Sequence, residues 1–364
     1  MLLCGALVCF PLGGCGINRA DADAGSVQSE AASDHKTTKN SNAEYTSEVF
    51  AMDTYMTLTA YGENAKEAVE AGIAEIQRLD ALLSTGDANS EVAQINQNGG
   101  GTLSEDTDYL VKRALAIYQS TQGAFDISIY PVMQLWGFTT GDFAVPSKED
   151  LAAKLALVNA GRISLMEDNG VSSITLPEGM EIDLGGIAKG YTSGRVMEVM
   201  KRYGIESAVI NLGGNAHVLG SKPDGSAWKV GIQDPNDTNG YLGGVSVRDK
   251  AIITSGGYER YFVDEATGVK YHHIIDPKTG YSANNGLISV TIVSADSTLA
   301  DGLSTSLFVL GTEDAIAYCE EHCAEDGFDA IMEDEDGKLY ITDGVMDDFI
   351  NMNNTANIQE IKTK

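Results

Sequence analysis

The sequence is poor in basic residues. Of its 364 residues, 24 are lysine or arginine and 53 are aspartate or glutamate, so the formal net charge is −29 at pH 7. A chain with this balance repels nucleic acid backbones and anionic lipid surfaces at long range, and we expect no nucleic acid partner. A phosphate-bearing ligand would need local positive charge from a helix N-terminus, a basic side chain or a bound cation.

The apolar run at the start of the chain is too short to span a bilayer. The first residues, MLLCGALVCFPLGGC, are apolar from Met1 to Leu12 and small thereafter, which is typical of an export segment. The letters LGGC resemble the lipobox of bacterial lipoproteins, in which the cysteine is lipidated, and Cys15 is the matching position. We therefore predict a lipoprotein signal segment over residues 1–15. An ordinary cleaved signal peptide is the alternative, because no basic residue precedes the apolar run.

Cysteines are few. Three of the five lie in the first segment, and the other two, Cys319 and Cys323, flank His322. This stretch is predicted to be helical, so the two cysteines share a face while the histidine points elsewhere. Because no second pair of ligands accompanies them, we interpret them as unpaired thiols rather than as a zinc site.

The composition changes along the chain. Residues 16–45 contain almost no large apolar side chain and cannot bury enough surface to fold, so we predict a flexible tether there. Across residues 46–350, amphipathic helices are mixed with alternating strands, without regular β-α-β order. This mixture predicts one α+β domain with an antiparallel sheet. Residues 351–364 are interpreted as a polar tail.

The stretch DLGGIAKG, from Asp183 to Gly190, lies between a predicted strand and a predicted helix. Its spacing fits neither a P-loop nor a dinucleotide-binding fingerprint. What remains is a Gly-Gly turn at a helix N-terminus, where free amides face outward and can meet a ligand. A tight turn without any ligand is the alternative.

Two further stretches carry polar groups suited to chemistry. YHHIIDPKTG holds His272 and His273, and because adjacent strand residues point to opposite faces, only one imidazole can face a given site. ADGLSTS holds Asp301 and Thr305, which share a helical face and offer two oxygen ligands for a hard cation such as Mg²⁺. The alternative is an acid near a helix N-terminus beside a threonine that bonds to its own helix.

Taken together and in order, these stretches resemble the ApbE family of FAD:protein FMN transferases, also called flavin transferases. The resemblance covers roughly residues 46–345 and rests on MDT, LDALLSTGDANSEVAQIN, GAFDISIYPV, DLGGIAKG, INLGGN, TSGGYERYF, HHIIDPKTG and ADGLST. It implies a two-lobed α+β fold related to the T-fold, with FAD between the lobes.

The resemblance also implies an activity. A threonine hydroxyl, sometimes a serine hydroxyl, of an acceptor protein attacks the phosphorus on the FMN side of FAD, and AMP leaves. A divalent cation, Mg²⁺ or alternatively Mn²⁺, grips the pyrophosphate. With the lipobox, the resemblance implies an extracytoplasmic lipoprotein anchored to the cell membrane. Its acceptor would be a flavoprotein subunit of a redox-driven ion pump or a related electron-transfer protein. Two alternatives stay open: an FAD pyrophosphatase that releases FMN and AMP, and a non-catalytic flavin-binding lipoprotein.

Residue roles follow from the same resemblance. His273 matches the base that activates the attacking hydroxyl, and an unperturbed pKa of about 6.5 suits that task. The metal ligands are the side chains of Asp301 and Thr305 and the backbone carbonyl of Gly186, and Asp301 is also counted as catalytic. The remaining matches are the FAD contacts Met52, Ala124, Phe125, Asp126, Asp183, Lys189 and Ile275.

The sequence departs from the family pattern at two positions. Asp53 stands where the family commonly has glycine, and Gly86 stands where it commonly has an aromatic residue. Losing an aromatic ring that covers the flavin removes on the order of 1 to 3 kcal/mol of binding free energy. We therefore expect FAD to be held more loosely, with the metal, base and pyrophosphate contacts unchanged.

Overall fold

The computed structural model describes residues 43–237, 239–352 and 357–364. The predicted signal segment, its Cys15 and most of the predicted tether therefore lie outside the described residues. The tether prediction extends two residues too far, because Glu44 and Tyr45 already belong to the first strand. In the described residues, no helix combines the length and the apolar character needed to cross a membrane.

Within the described residues, the helices are α1 (Ala65–Leu83), α2 (Glu91–Asn98), α3 (Glu105–Ser120), α4 (Tyr130–Leu135), α5 (Lys148–Leu155), α6 (Gly185–Arg202), α7 (Ser297–Leu310), α8 (Thr312–Asp326) and α9 (Asp343–Met346). The strands are β1 (Glu44–Ala51), β2 (Thr54–Tyr61), β3 (Gly100–Thr102), β4 (Ser164–Asp168), β5 (Val171–Thr175), β6 (Ser207–Leu212), β7 (Asn215–Gly220), β8 (Trp228–Gln233), β9 (Tyr241–Val247), β10 (Ala251–Gly256), β11 (Tyr261–Val263), β12 (Lys270–His272), β13 (Leu287–Ser294), β14 (Phe328–Asp334), β15 (Leu339–Thr342), β16 (Phe349–Asn351) and β17 (Ile358–Ile361).

A nine-stranded sheet organises the molecule, in the order β1-β2-β6-β7-β10-β13-β14-β15-β17. Its neighbouring strands run antiparallel, except that β15 and β17 run parallel. Helix α6 packs against α1 and α7, and α7 packs on β10 and β13. The α+β prediction with an antiparallel sheet is confirmed, and this layer supports one wall of the site described below.

Smaller units surround the main sheet. Strands β3, β5 and β4 form one three-stranded sheet, β16, β9 and β8 form another, and β11 pairs with β12 in a separate hairpin. The largest buried cluster joins apolar side chains from α3, α6, α7 and the main sheet. A separate aromatic cluster around Trp136 lies under the β11–β12 hairpin.

The predicted polar tail contributes a strand. Ile358 pairs with Leu339 in the parallel β15–β17 ladder, and Ile361 is 2% exposed. The sequence signal for this strand was weak, because Ile358 and Ile361 are its only large aliphatic residues and the two residues between them are polar. A four-residue strand at the edge of a sheet can form with only two apolar side chains.

The two cysteines beyond the first segment are free and buried on α8. The ring of His322 stacks on Tyr318, with ring centroids 4.3 Å apart. In the described part of the chain, no group of three or more His, Cys, Asp or Glu residues is placed to hold a metal ion. The interpretation of Cys319 and Cys323 as unpaired thiols therefore agrees with the structure.

Helices α6 and α7 meet at Gly190. A Cβ atom at this position would lie 2.2 Å from the backbone oxygen of Ser297 and 2.5 Å from the Cβ of Asp301, so only glycine allows the approach. The Ser297 hydroxyl donates to the carbonyl oxygen of Gly190 at 2.6 Å. The glycine that ends the DLGGIAKG stretch is therefore required by helix packing, whatever ligand the turn binds.

We expect Gly190→Ala to lower the free energy of unfolding by roughly 1 to 3 kcal/mol, because the added methyl group overpacks two backbones that have no room to separate. Urea unfolding followed by circular dichroism measures the change. Gly194→Ala is the matched control, since its added Cβ would meet only the rotatable hydroxyl of Ser297 at 3.0 Å. Equal stability of both variants and the parent would contradict this account.

Candidate active site

One cavity of about 660 Å³ collects every predicted site residue that the structure describes. Its walls come from the β1–β2 turn, the C-terminal end of α1, the segment after α3, the N-terminal end of α6, the end of β10, the segment after β12, and α7. The predicted residues in these walls are Met52, Ala124, Phe125, Asp126, Asp183, Gly186, Lys189, His273, Ile275, Asp301 and Thr305.

The two adjacent histidines point to different places, although β12 ends at His272 and His273 lies just beyond the strand. His272 is buried, its Nε2 donates to the carbonyl oxygen of Ala283 at 3.0 Å, and its ring meets Phe308 edge-on. His273 instead lines the cavity. His272 therefore supports the core, and His273 is the imidazole available to a ligand.

Arg260 fixes the orientation of His273. The carbonyl oxygen of Arg260 accepts hydrogen bonds from the backbone amide of His273 at 3.0 Å and from its Nδ1 at 3.2 Å. Because a carbonyl can only accept, the bond assigns the proton to Nδ1 and leaves the lone pair on Nε2. That tautomer presents Nε2 as a proton acceptor.

The surroundings of His273 keep it neutral. The cavity walls desolvate the half-buried imidazole, and the nearby positive charges of Arg260 and Lys189 act in the same direction, so its pKa falls to about 3. A histidine with this pKa is uncharged at neutral pH and can accept a proton as soon as a negatively charged ligand favours the imidazolium form.

Asp301 sits where α7 crosses α6. It is 5% exposed; its Oδ2 accepts from the Gly190 amide at 2.7 Å, and its Oδ1 accepts from the Asn215 side-chain amide at 3.2 Å. Burial raises the pKa of this carboxyl, while the positive charge of Lys189 opposes the rise. A carboxylate in this environment favours a cation nearby.

Thr305 and Gly186 add oxygen atoms to the same cavity wall. The Thr305 hydroxyl lies 3.3 Å from the hydroxyl of Ser255. In a regular helix the Gly190 amide would donate to the carbonyl of Gly186, and its bond to Asp301 competes for that amide. A carboxylate, a hydroxyl and a carbonyl form the hard-oxygen donor set that Mg²⁺ prefers.

Lys189 lies among three acidic groups. Its charge acts on Asp183, Asp301 and Glu259, all of which line the cavity with it. The Oδ1 of Asp183 accepts from the amide of Gly185 at 2.7 Å, and burial raises the pKa of this carboxyl. This turn therefore combines helix amides, one cation and an acid.

Glu259 is a cavity residue to which the sequence pattern gave no role. Its side chain is exposed to the cavity, where desolvation by the surrounding walls and the charge of Asp301 raise its pKa to about 7, against the opposing effect of Lys189. The stretch TSGGYERYF contains Glu259 and Arg260, so the family motif was the available signal. Asn215, which bonds to Asp301, lies in the INLGGN stretch and was missed in the same way.

Apolar residues form another part of the wall. Ala124, Phe125 and Ile275 are each at most 6% exposed. Phe125 packs against the α6 turn so closely that a Cβ at Gly186 would lie 3.0 Å from its ring. Gly186 thus allows an aromatic ring and a polar turn to share one wall.

The carboxylate of Asp126 points into the protein rather than to a ligand. Its Oδ1 accepts from the amide and the hydroxyl of Ser128 at 2.8 and 2.6 Å, and its Oδ2 accepts from the amide of Ala160 at 3.1 Å. Asp126, predicted as an FAD contact, lines the cavity, but its carboxylate is bonded within the protein and holds the segment after α3 in place.

The β1–β2 turn carries the first departure from the family pattern. Met52 and Asp53 both have positive φ, 49° and 60°, as a two-residue hairpin of the I′ type requires. The strained turn is held by a bond from the Met52 amide to Asp80 at 3.1 Å. Asp53 tolerates this conformation better than most residues, although glycine would adopt it without strain.

Gly86, the second departure, faces open space in the cavity rim. A Cβ atom there would meet only the Ser84 hydroxyl, at 3.8 Å. Its φ lies outside the left-handed region, so a side chain at this position is sterically allowed.

The sequence model of the ApbE family matches residues 52–332. Among curated proteins, a FAD:protein FMN transferase of Klebsiella pneumoniae is 38% identical over 247 residues, covering 66% of this chain and 75% of the relative. A protein of the same name from Treponema pallidum is 32% identical over 324 residues, covering 84% of this chain and 88% of the relative.

Solved structures agree with these sequence matches. The ApbE protein of Thermotoga maritima superimposes with a TM-score of 0.76 at 32% identity, covering 83% of this chain and 98% of that one. The flavin transferase ApbE from Vibrio cholerae gives a TM-score of 0.71 at 29% identity, covering 82% and 97%.

We expect the His273 imidazole of the ligand-free protein to stay neutral between about pH 5 and pH 8, because its pKa is lowered to about 3 from the ordinary 6.5. Histidine-selective NMR measures the titration, and His273→Asn identifies the resonance. The unfolded chain takes up this proton near pH 6.5 and the folded chain does not, so this residue makes unfolding easier as pH falls below about 6.5.

The same sample in denaturing urea is the control, since the His273 resonance should then titrate near the ordinary value of about 6.5. A midpoint near 6.5 in the folded protein as well would contradict the desolvated site.

Proposed function

The chain belongs to the ApbE family, and we infer that it takes FMN from FAD and attaches it to an acceptor protein. Its curated relatives carry the name of this activity. One observation carries the inference to this chain: His273, oriented by the Arg260 carbonyl, lines the same cavity as the oxygen-bearing residues Asp301, Thr305 and Gly186.

His273 takes the proton in the proposed reaction. A threonine or serine hydroxyl of the acceptor gives its proton to Nε2 as its oxygen bonds to the phosphorus on the FMN side. The bond from that phosphorus to the AMP oxygen breaks, and AMP leaves. The Arg260 carbonyl holds the Nδ1–H and so stabilises the imidazolium that forms.

We propose that Asp301, Thr305 and the Gly186 carbonyl hold Mg²⁺, with Mn²⁺ as the alternative. Such an ion would neutralise the charge that develops on the pyrophosphate oxygens. Three protein oxygens are about half of the ligands that Mg²⁺ requires. The remaining ligand positions are open to phosphate oxygens, which supports joint binding of the ion and FAD. Lys189 and the N-terminal end of the α6 dipole add local positive charge in a protein whose net charge is −29.

The N-terminal segment supports a proposed location. We propose that Cys15 is lipidated and that residues 16–42 tether the domain outside the cytoplasm, on the basis of the LGGC lipobox resemblance. The proposed acceptor is accordingly a flavoprotein subunit of a redox-driven ion pump or of a related electron-transfer protein that faces the same compartment.

A second candidate is FAD hydrolysis to FMN and AMP. The open rim at Gly86 supports it, because space beside the flavin admits water to the phosphorus that the acceptor hydroxyl would attack. Hydrolysis and transfer share every residue of the proposed site and differ only in the nucleophile.

The function is tested by incubating the full chain with FAD, Mg²⁺ and a folded, threonine-containing acceptor domain. A covalently fluorescent acceptor band supports transfer, AMP without a labelled acceptor supports hydrolysis, and FAD retention without AMP supports a flavin-binding protein. Chelation by EDTA should stop AMP release if the oxygen cluster holds the ion.

We expect His273→Ala to lower the rate of transfer by roughly 10²- to 10⁴-fold, the usual contribution of a general base, while FAD still binds. AMP release and flavin fluorescence measure the two properties separately. His322→Ala, on helix α8 and outside the cavity lining, is the control and should keep the parent rate. Transfer at the parent rate by the His273 variant would show that another group takes the proton.

We expect Gly86→Tyr to tighten FAD binding by 1 to 3 kcal/mol, which is roughly a 5- to 150-fold lower Kd, because the ring fills the open rim and covers the flavin. Flavin fluorescence titration measures it. Gly86→Ala adds only a Cβ and should bind FAD like the parent. If the two variants bind FAD equally, the open rim does not limit affinity.

A fall in the ratio of AMP release to transfer in Gly86→Tyr would connect the rim to water entry.

A further inference from the structure

The acceptor must place a hydroxyl against the Nε2 of His273, so the surface beside this histidine has to admit a second protein. Five large apolar side chains that are at least two-fifths exposed lie in two segments near it. These side chains are Phe143, Val145, Tyr261, Val263 and Val269. Aromatic side chains in such clusters are typical anchors of protein interfaces.

The segment Thr139–Val145, here called the rim loop, leads from the cavity to the surface. Thr139 and Thr140 line the cavity, and all seven residues of the loop are exposed. The loop joins α4 to α5 and has no regular secondary structure. A peptide that follows it outward from the cavity therefore leaves the site beside Phe143.

Phe143 is a fixed platform on this loop. Its ring stacks on Phe262 of β11, with centroids 5.1 Å apart and planes inclined by 9°, and meets Phe138 edge-on at 5.6 Å. Phe262 in turn packs on Trp136. One face of the Phe143 ring is thus held by the protein, while the side chain remains 42% exposed. A preorganised aromatic surface loses little entropy when a partner covers it.

Arg260 connects the rim loop to the base. Its guanidinium Nη2 donates to the carbonyl oxygen of Phe138 at 2.6 Å, immediately before the loop, while its own carbonyl holds His273. The loop and the imidazole therefore keep a fixed spacing, which a docked substrate needs if its hydroxyl is to meet Nε2 in a productive geometry.

We propose that the rim loop, with Phe143 at its centre, is the surface on which the acceptor docks. The partner is a protein segment that carries the reacting threonine or serine and an apolar side chain beside it, which covers Phe143. The docking site rests on the proposed transfer function, because only transfer to a protein requires a second macromolecule at the mouth of the cavity.

Another exposed aromatic pair competes for this role. Phe50 and Tyr55 are 61% and 68% exposed, and their ring centroids are 5.0 Å apart. They flank the Met52–Asp53 turn, but this turn is bonded to Asp80 of α1 rather than to the residues that hold His273. The rim loop is therefore favoured, and the pair supplies a matched comparison.

The test measures acceptor labelling and FAD hydrolysis in the same full-length variants with FAD and Mg²⁺. We expect Phe143→Ser to raise the KM for the acceptor domain by about tenfold, with kcat within about twofold of the parent. FAD affinity and AMP release without the acceptor should stay at parent levels, which excludes misfolding as the cause. Phe143→Tyr, which keeps the ring, should restore the parent KM.

Phe50→Ser is the matched control, because it removes the same side chain from another exposed aromatic contact, and it should leave the acceptor KM unchanged. A parent-like KM for Phe143→Ser, or an equal or larger effect of Phe50→Ser, overturns the docking site while leaving the transfer function intact. A parent chain that releases AMP without labelling the acceptor overturns the transfer function, and the docking site with it.

Discussion

The contact between α6 and α7 at Gly190 is the constraint on which the site depends. Because the position has no side chain, the amide of Gly190 reaches the buried carboxylate of Asp301, and the hydroxyl of Ser297 reaches the carbonyl of Gly190. This crossing sets the acid of one helix beside the glycine-rich turn that begins the other. The proposed metal position and the placement of Lys189 beside Asp301 follow from how closely these two helices meet.

Arg260 has a comparable role beside His273, at another part of the cavity wall. It orients His273 through its backbone and attaches the rim loop through its side chain, while its charge helps keep the imidazole neutral. The orientation and protonation state of the His273 imidazole and the position of the rim loop are therefore coupled through one residue. Substitutions of the Arg260 side chain would change these properties together, which is why the individual roles are better separated at His273 and Phe143.

Sequence reasoning was most successful where local geometry decides the outcome. The sequence predicted that only one of the adjacent His272 and His273 can face the cavity, although His273 lies just beyond β12, and the glycine-rich stretch marked the start of α6. Sequence patterns were less informative where a contact between residues far apart in the chain decides which way a side chain points. Whether the carboxylate of Asp126 faces a ligand depends on Ala160, which is distant in the chain, and the pKa of Glu259 depends on walls that only the fold assembles. The motifs named the cavity residues, but not the direction in which each side chain points.

The parallel strand at the C-terminus matters for how the domain can be handled. Strand β17 covers β15, whose four residues are all buried and whose backbone would otherwise form an open edge of the nine-stranded sheet. Uncovered edges of this kind pair readily with other chains. Shortening the protein just before β17 would expose this edge and invite self-association, even though every residue that lines the candidate cavity would still be present.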